Sequence, residues 1–236
     1  MDKMVRSQFQ ERLVSLFLRL NGYLQSGYIP HSEKLGDAGT DVDRIGIRFP
    51  NHSQEEREIK QFEDLDIPEN SIDIIVAEVK NNSLKFNDTI TKMENRAYEN
   101  WKQILNWIGL FERNEVEFLV PIMIDIANKH GQIEFGTYSQ YRHENKYGII
   151  TIRPILFSFE RTKIETSTKK WVNGEEILSF MWQCYCPDIK RNQCSTRYPF
   201  ILWGNEFSDI VEYLKDRHKK GIGIPNLNEM YNELKY

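Results

Sequence analysis

The chain has 236 residues, of which 40% are hydrophobic and 28% are charged, the balance of an ordinary globular protein. Its formal net charge of −4 at pH 7 excludes an overall basic field that attracts nucleic acid, but leaves room for a local basic patch. No apolar run reaches the roughly 18 residues that a membrane-spanning helix needs. The charged first residues, MDKMVRSQFQERLV, also lack the apolar core of a signal peptide. We therefore expect a cytoplasmic protein that does not enter a membrane.

The first part of the chain predicts a helix followed by strands. SQFQERLVSLFLRLNGYL has apolar residues at helical spacing, with Ser7 as a candidate N-cap and Asn-Gly at 21–22 as its end. GYLQSGYIP suits a turn and a first strand. TDVDRIGIRF alternates as a half-buried strand, with Asp41 and Asp43 on the same face. The polar, acidic residues 51–70 predict a solvated connection.

The middle of the chain predicts a second strand, a helix and two further strands. SIDIIVAEVK, residues 71–80, is apolar on both faces, as a central strand should be. TKMENRAYENWKQILNWIGLFE, residues 91–112, predicts one long helix with an apolar stripe. EVEFLVPIMIDIA and KYGIITIRPILFSF, residues 115–127 and 146–159, predict strands.

The last part predicts a linker and helices. RTKIETSTKK, residues 161–170, is polar, and NGEEILSFMWQCYC and FSDIVEYLKDRHKK follow with helical patterns. We expect a core of residues 1–165 and a separable, mainly helical C-terminal appendage of residues 166–236. The order of elements predicts an α/β fold, with a mixed central sheet flanked by helices.

Three cysteines lie close together, at Cys184, Cys186 and Cys194. Their odd number argues against a disulfide framework, and structural zinc needs four ligands. The five histidines are scattered without metal-ligand spacing. We therefore expect the cysteines to be reduced, partly buried thiols.

The strand over residues 71–80 ends with an acid and a base on the same face. Alternation places Glu78 and Lys80 roughly 6.6–7 Å apart along the strand, at the carboxyl end where ligand sites of open sheets gather. If this strand pairs with the preceding one, Asp41 and Asp43 can join them. Carboxylates bind hard cations such as Mg2+, and a lysine beside a metal-bound water can orient it. The opposing interpretation is an exposed Glu–Lys pair that contributes little to stability.

This pattern resembles the PD-(D/E)XK nuclease superfamily, which has the restriction-endonuclease-like fold. The resemblance rests on TDVDRIGIRFP followed by IDIIVAEVK and covers about residues 8–111, less than half of the chain. The Pro-Asp pair of the family is absent, and T-D-V-D leaves Asp41 and Asp43 as alternatives, of which Asp43 is favoured. The resemblance implies the following roles: Asp43 and Glu78 as metal ligands, the carbonyl of Val79 as a further ligand, Lys80 as the catalytic lysine, and Glu11 as an acidic residue of the first helix.

The helix after E-x-K offers a further point of resemblance. In some relatives a Gln on this helix, followed four residues later by an aromatic residue, lines the DNA side of the site. Gln103 and Trp107 have that spacing, and Arg96 lies on the same helical face. The alternative for Trp107 is that it only packs against the protein.

The resemblance implies a metal-dependent nuclease that hydrolyses phosphodiester bonds with Mg2+ or Mn2+, acting on DNA in preference to RNA. Water oriented near Lys80 would attack phosphorus while metal held by Asp43 and Glu78 stabilises the developing charge. Family habit suggests a defence, restriction or repair system, in which the C-terminal segment, a homodimer or a partner protein supplies specificity. One alternative is a non-catalytic nucleic-acid-binding or scaffold protein that keeps the fold. Another is an unrelated enzyme or interaction module in which E-x-K is accidental.

Overall fold

The computed structural model describes residues 3–32, 40, 42–53, 59–65, 70–129, 140–159, 171–186 and 200–234. The helices in these ranges are α1 (Lys3–Leu20), α2 (Asp88–Thr91), α3 (Ala97–Ile108), α4 (Arg113–Lys129), α5 (Gly174–Tyr185), α6 (Gly204–Lys219) and α7 (Leu227–Glu233). The strands are β1 (Leu24–Tyr28), β2 (Val42–Arg48), β3 (Ser71–Lys80), β4 (Tyr141–Asn145), β5 (Gly148–Ser158) and β6 (Val172–Asn173).

The strands form one mixed sheet in the order β1-β2-β3-β5-β4, with β6 beside β5. β3 pairs antiparallel with β2 and parallel with β5, so both of its edges are hydrogen-bonded. This central position explains why its sequence is apolar on both faces. The α/β fold with a mixed, helix-flanked sheet, expected from the sequence, is confirmed.

Helices cover the sheet on both sides. The side chains on one face of β3, including Ile75 and Ala77, pack in a core with residues of α1, α5 and α6. The side chains on the other face, including Ile74 and Val76, pack in a core with residues of α3 and α4. Glu78 and Lys80 belong to this second face, and therefore lie on the side of the sheet that α3 covers.

The prediction of a strand over residues 115–127 is wrong, because this segment lies within α4. Its buried residues recur at helical spacing, and they are Val116, Leu119, Val120, Met123, Ile124 and Ala127. Pro121 lies inside the helix, where it removes one backbone hydrogen bond and obscures the helical signal. The β-branched residues near Pro121 are typical of a strand, and only the spacing of the buried residues indicates a helix.

Two helix boundaries also differ from the predictions. The single helix expected over residues 91–112 is broken, since Arg96 has a φ of 70° and α3 begins only after it. α1 begins at Lys3, so Ser7 is inside the helix and is not its N-cap. The predicted end of α1 is confirmed, and Gly22 adopts a φ of 87° directly after it. The sequence did not predict β4 or α7.

The described part of the predicted appendage is mainly helical, but it shares the core of the protein. β6 joins the sheet beside β5, and α5 and α6 contribute to the same buried cluster as α1. An ion pair of 2.6 Å between Arg12 and Asp209 also ties α1 to α6. That residues 166–236 form a separable unit stays a prediction. The predicted linker and the boundary at residues 165 and 166 lie outside the described residues, and the boundary stays a prediction.

A buried polar network holds the end of β3 opposite to Glu78. The Arg153 guanidinium donates to both carboxylate oxygens of Asp73, one of the bonds measuring 2.9 Å, and the Tyr23 hydroxyl donates to the same carboxylate. Burial, and then the Asp73 charge, raise the pKa of Tyr23. These bonds join β3 to β5, and through Tyr23 to the turn after α1.

Among the described helices, none combines the length and the apolar character that crossing a lipid bilayer requires.

Candidate active site

Glu78 is a buried carboxylate at the carboxyl end of the central strand. Its residue is 4% exposed, and both of its oxygens accept hydrogen bonds from the Asn87 backbone N–H, at 3.2 and 3.0 Å. The Lys80 ammonium lies 2.6 Å from its Oε1. Burial raises the pKa of Glu78, while the Lys80 charge and the Asn87 N–H oppose that rise.

Lys80 is the more accessible member of the pair, with a side chain that is 23% exposed against 5% for Glu78. Its ammonium also donates to the Asn87 side-chain oxygen, at 2.7 Å. The two charged groups therefore lie on the same side of the strand, as alternation predicted. The interpretation of an exposed surface pair does not fit, because Glu78 is almost fully buried.

Asp43 lies beside this pair at the beginning of β2. The antiparallel register pairs Arg44 with Ala77, so its continuation by one residue places Asp43 opposite Glu78. The Oδ2 of Asp43 accepts a hydrogen bond of 2.6 Å from the backbone N–H of Val79, the residue between Glu78 and Lys80. Residues directly opposite each other in such a pair lie on the same face of the sheet. The fold thus brings Asp43 next to Glu78, as the proposed site requires, whereas Asp41 lies outside the described residues.

Glu11, the acidic candidate on α1, is linked to β2 rather than to Glu78. Its carboxylate lies 3.8 Å from the guanidinium of Arg44, which also donates to the Asp43 carbonyl oxygen. Arg44 lies on the α1 side of the sheet, since it alternates with Asp43. Glu11 can therefore affect the site through β2, and its direct catalytic role stays a prediction.

The α1 residue that reaches the end of β3 is Gln10. Its side chain is nearly fully buried and donates a hydrogen bond of 2.8 Å to the Asn81 side chain, immediately after Lys80. Nothing in the sequence predicts this contact, because Gln10 carries no charge and lies within an ordinary helical pattern. Asn87 was also missed, although it contacts both Glu78 and Lys80.

Gln103 and Arg96 bind the segment that follows β1. The Gln103 amide accepts from the backbone N–H of His31 at 2.6 Å and donates to its carbonyl at 3.1 Å, as a neighbouring strand would. Arg96 donates to the Ser32 hydroxyl at 3.1 Å. The functional groups of Gln103 are thus used within the protein, and the predicted contact of these two residues with nucleic acid stays a prediction.

Trp107 stacks on Tyr28, with ring centroids 4.9 Å apart and planes inclined by 19°. This contact fits the packing interpretation, but Trp107 remains 58% exposed. Tyr28 pairs with Val42, the residue before Asp43, so the aromatic pair lies at the same end of β2 as the candidate site. α3, with Arg96 before it, therefore holds residues 28–32, which precede Asp43 in the chain.

The oxygen atoms at this end of the sheet suit a hard divalent cation. Asp43 and Glu78 supply carboxylates, and Val79, between Glu78 and Lys80 in the sequence, supplies a carbonyl. Mg2+ is typically bound by one or two carboxylates together with water and substrate phosphates. Over the described ranges there is no group of three or more His, Cys, Asp or Glu side chains arranged for a metal. Asp43 and Glu78 therefore fit a Mg2+ site that has two protein carboxylates.

The expected reduced thiols are confirmed at Cys184, which is partly buried, and at Cys186, which is buried. The Cys186 thiol donates to the Leu214 carbonyl at 3.3 Å, and burial raises its pKa to about 12. Such a thiol is neutral and is a poor nucleophile and metal ligand. Cys194 lies outside the described residues.

Comparisons of the chain with protein-family models, with curated proteins and with solved structures gave no significant match.

Proposed function

We propose that this protein is a metal-dependent nuclease of the PD-(D/E)XK type, which hydrolyses phosphodiester bonds of nucleic acid, with DNA preferred over RNA. The observation that carries the proposal is the buried Glu78 carboxylate, in contact with Lys80 and one residue away from the backbone group that Asp43 binds. The resemblance noted in the sequence supplies the reaction type.

The cost of burying charge supports a functional interpretation. A buried carboxylate is unfavourable unless ion pairs and hydrogen bonds compensate it, and apolar residues of similar size are often as stable or more stable. Glu78 and Lys80 follow three apolar residues on this face of β3, at the carboxyl end of the strand, where ligands of open sheets usually bind. The pair is thus an unfavourable choice for stability alone, but a useful one for catalysis.

Each residue has a distinct role in the proposed reaction. Asp43 and Glu78, with the Val79 carbonyl, would hold Mg2+ or Mn2+, which supplies positive charge to the reacting phosphate. Lys80, the more exposed of the charged pair, would orient the attacking water and offset negative charge on the phosphate oxygens. Arg44 and Glu11 would hold β2, and α3 would hold the chain before it.

A non-catalytic nucleic-acid-binding or scaffold protein is the second candidate. The observation that favours it is that, among the described residues, Glu78, Lys80 and Asn87 satisfy one another by hydrogen bonds. A structural ion pair has the same arrangement. The two candidates differ in their response to metal, because only the nuclease needs Glu78 as a metal ligand.

The test measures metal binding by calorimetry and cleavage of supercoiled, linear and single-stranded DNA and of RNA with Mg2+ or Mn2+. We expect Glu78→Gln to weaken metal affinity and cleavage together by at least about 10-fold, since a ligand is lost. Glu117→Gln, on the outer side of α4, is the control and should match the wild type. Nucleic-acid binding without cleavage would favour the second candidate. Cleavage that is unaffected by Glu78→Gln would refute the assignment of the site.

A further inference from the structure

Asn87 contacts both charged residues at the end of β3. Its backbone N–H donates to the two Glu78 oxygens at 3.2 and 3.0 Å, and its side-chain oxygen accepts from the Lys80 ammonium at 2.7 Å. It stands directly before α2, in the N-cap position. One residue therefore fixes the carboxylate with its backbone and the ammonium with its side chain.

The side chain of Asn87 does not do what an N-cap asparagine usually does. An asparagine in this position normally accepts a hydrogen bond from a backbone N–H of the first helical turn, and this bond stabilises a helix by about 1 kcal/mol. Asn87 makes no such bond. Asn173 and Asn226, the N-caps of α5 and α7, accept from Glu176 and Glu229 at 2.9 Å each, in complete capping boxes.

The same residue type in the same position thus serves two purposes in one chain. α5 and α7 use their asparagines to stabilise the helix, whereas α2 forgoes that bond and its asparagine holds Lys80. Departures from a local rule are expected where function requires them. Asn87 departs from the usual N-cap bond at the candidate active site, where its side chain binds Lys80 instead.

We propose that Asn87 is a positioning residue, which holds the Lys80 ammonium while the Glu78 carboxylate binds a cation. The inference rests on the proposed nuclease function. Without a cation, Lys80 has two acceptors, the Glu78 carboxylate and the Asn87 amide. When Glu78 serves as a metal ligand, the neutral amide oxygen remains to hold the ammonium without adding a further negative charge.

The position of α2 is itself fixed independently of the charged pair. Asn100 donates to the Thr89 carbonyl at 2.7 Å, and the Trp101 indole donates to the Ile90 carbonyl at 2.8 Å. These bonds attach the backbone of α2 to α3. Asn100→Ala is therefore a matched control, because it removes an asparagine bond to α2 while leaving the partners of Lys80 in place.

The test compares the wild type with Asn87→Ser, Asn87→Asp and Asn100→Ala, with rates referred to the folded fraction measured by circular dichroism. Serine remains a good N-cap but is too short to replace the amide, so the helix is preserved while Lys80 loses one of its two acceptors. We expect kcat in Mg2+ to fall about 10-fold in Asn87→Ser, with KM and metal affinity within about 2-fold of the wild type, the pattern of an interaction needed in the transition state. Asn87→Asp retains an acceptor oxygen and should restore part of kcat. Asn100→Ala should keep the kcat of the wild type.

A second measurement does not depend on activity. The side-chain 15N–1H signal of the Lys80 ammonium, assigned with Lys80→Arg, reports whether the group is held, because a held ammonium exchanges its protons slowly. We expect slow proton exchange in the wild type and in Asn100→Ala, and faster exchange in Asn87→Ser, where the ammonium keeps the Glu78 carboxylate but loses the Asn87 amide. This arm also works if no substrate is cleaved.

The outcomes separate the two proposals. A wild type that cleaves none of the substrates refutes the nuclease function, while the ammonium signal still decides whether Asn87 holds Lys80. Normal kcat in Asn87→Ser, or proton exchange of the Lys80 ammonium as slow as in the wild type, overturns the role of Asn87 and leaves the nuclease function intact. An equal loss of kcat in Asn87→Ser and Asn100→Ala also overturns it, since the effect would then come from the packing of α2.

Discussion

Replacing Asp73 with alanine should lower the free energy of unfolding by about 3–5 kcal/mol, the usual cost of removing one partner from a buried ion pair. The Asp73 side chain is completely buried and that of Arg153 is 3% exposed. Asp73 accepts three hydrogen bonds, two from Arg153 and one from Tyr23. Its loss leaves the Arg153 charge without a carboxylate partner and the Tyr23 hydroxyl without its acceptor. The network also pins the strand that carries Glu78, and a slip of one residue would turn Glu78 to the other face.

The assay is urea unfolding followed by circular dichroism, with Asp73→Ala, Asp73→Leu, Arg153→Met and the double variant Asp73→Leu/Arg153→Met. The double variant should lose less stability than Asp73→Ala, because no charge remains buried without a partner. Tyr23→Phe should cost about 1–3 kcal/mol, because it removes two hydrogen bonds, one donated to Asp73 and one accepted from Arg153. A loss below about 1 kcal/mol in Asp73→Ala, or additive effects in the double variant, would refute the coupling described for this network.

Two further predictions concern α3 and the β4 edge. Gln103→Ala should increase amide hydrogen exchange at His31 by about 10-fold, since it removes both hydrogen bonds between the Gln103 amide and the His31 backbone. Unchanged exchange would show that Gln103 does not hold this residue. The backbone N–H of Glu112, and then His143, lower the pKa of Glu115. A carboxyl whose folded pKa lies below its unfolded value of 4.5 stabilises the fold above that pH, and this stability is lost as the pH falls through the folded pKa. The wild type should therefore lose more free energy of unfolding than Glu115→Gln as the pH falls below 4.5. Parallel profiles of stability against pH would contradict a stabilising contact between Glu115 and His143.

The pattern of β2 and β3 was readable in the sequence because a strand has a strict period of two. Alternation placed Glu78 and Lys80 on one side, and the acidic residues before β2 and at its start offered Asp41 and Asp43 as neighbours, of which the structure places Asp43 beside Glu78. A central strand must be apolar on both faces, so the charges at the end of β3 stand out. These local rules were enough to assemble the candidate site.

The contacts of Asn87 and Gln10 could not be predicted in this way. Both depend on how the turn after β3 and the first helix approach the strand end, which is a property of tertiary packing. α4 was misread for a related reason, since β-branched residues around Pro121 look like a strand, and only burial against β5 and α3 selects the helix. Arg96 breaks the predicted long helix through a positive φ that arginine seldom adopts.

The most direct test of the central claim is the initial rate of Mg2+-dependent phosphodiester cleavage by Lys80→Ala and by the wild type, at saturating metal and substrate. If Lys80 acts on the attacking water or the transition state, the variant should bind metal within about 3-fold of the wild type but cleave at least about 100-fold more slowly, the scale of one preorganised charged group. Lys80→Arg should recover only part of the rate, because a planar guanidinium cannot take the place of a compact ammonium. Equal rates for folded Lys80→Ala and wild type would contradict the claim that this end of the sheet is a nuclease site.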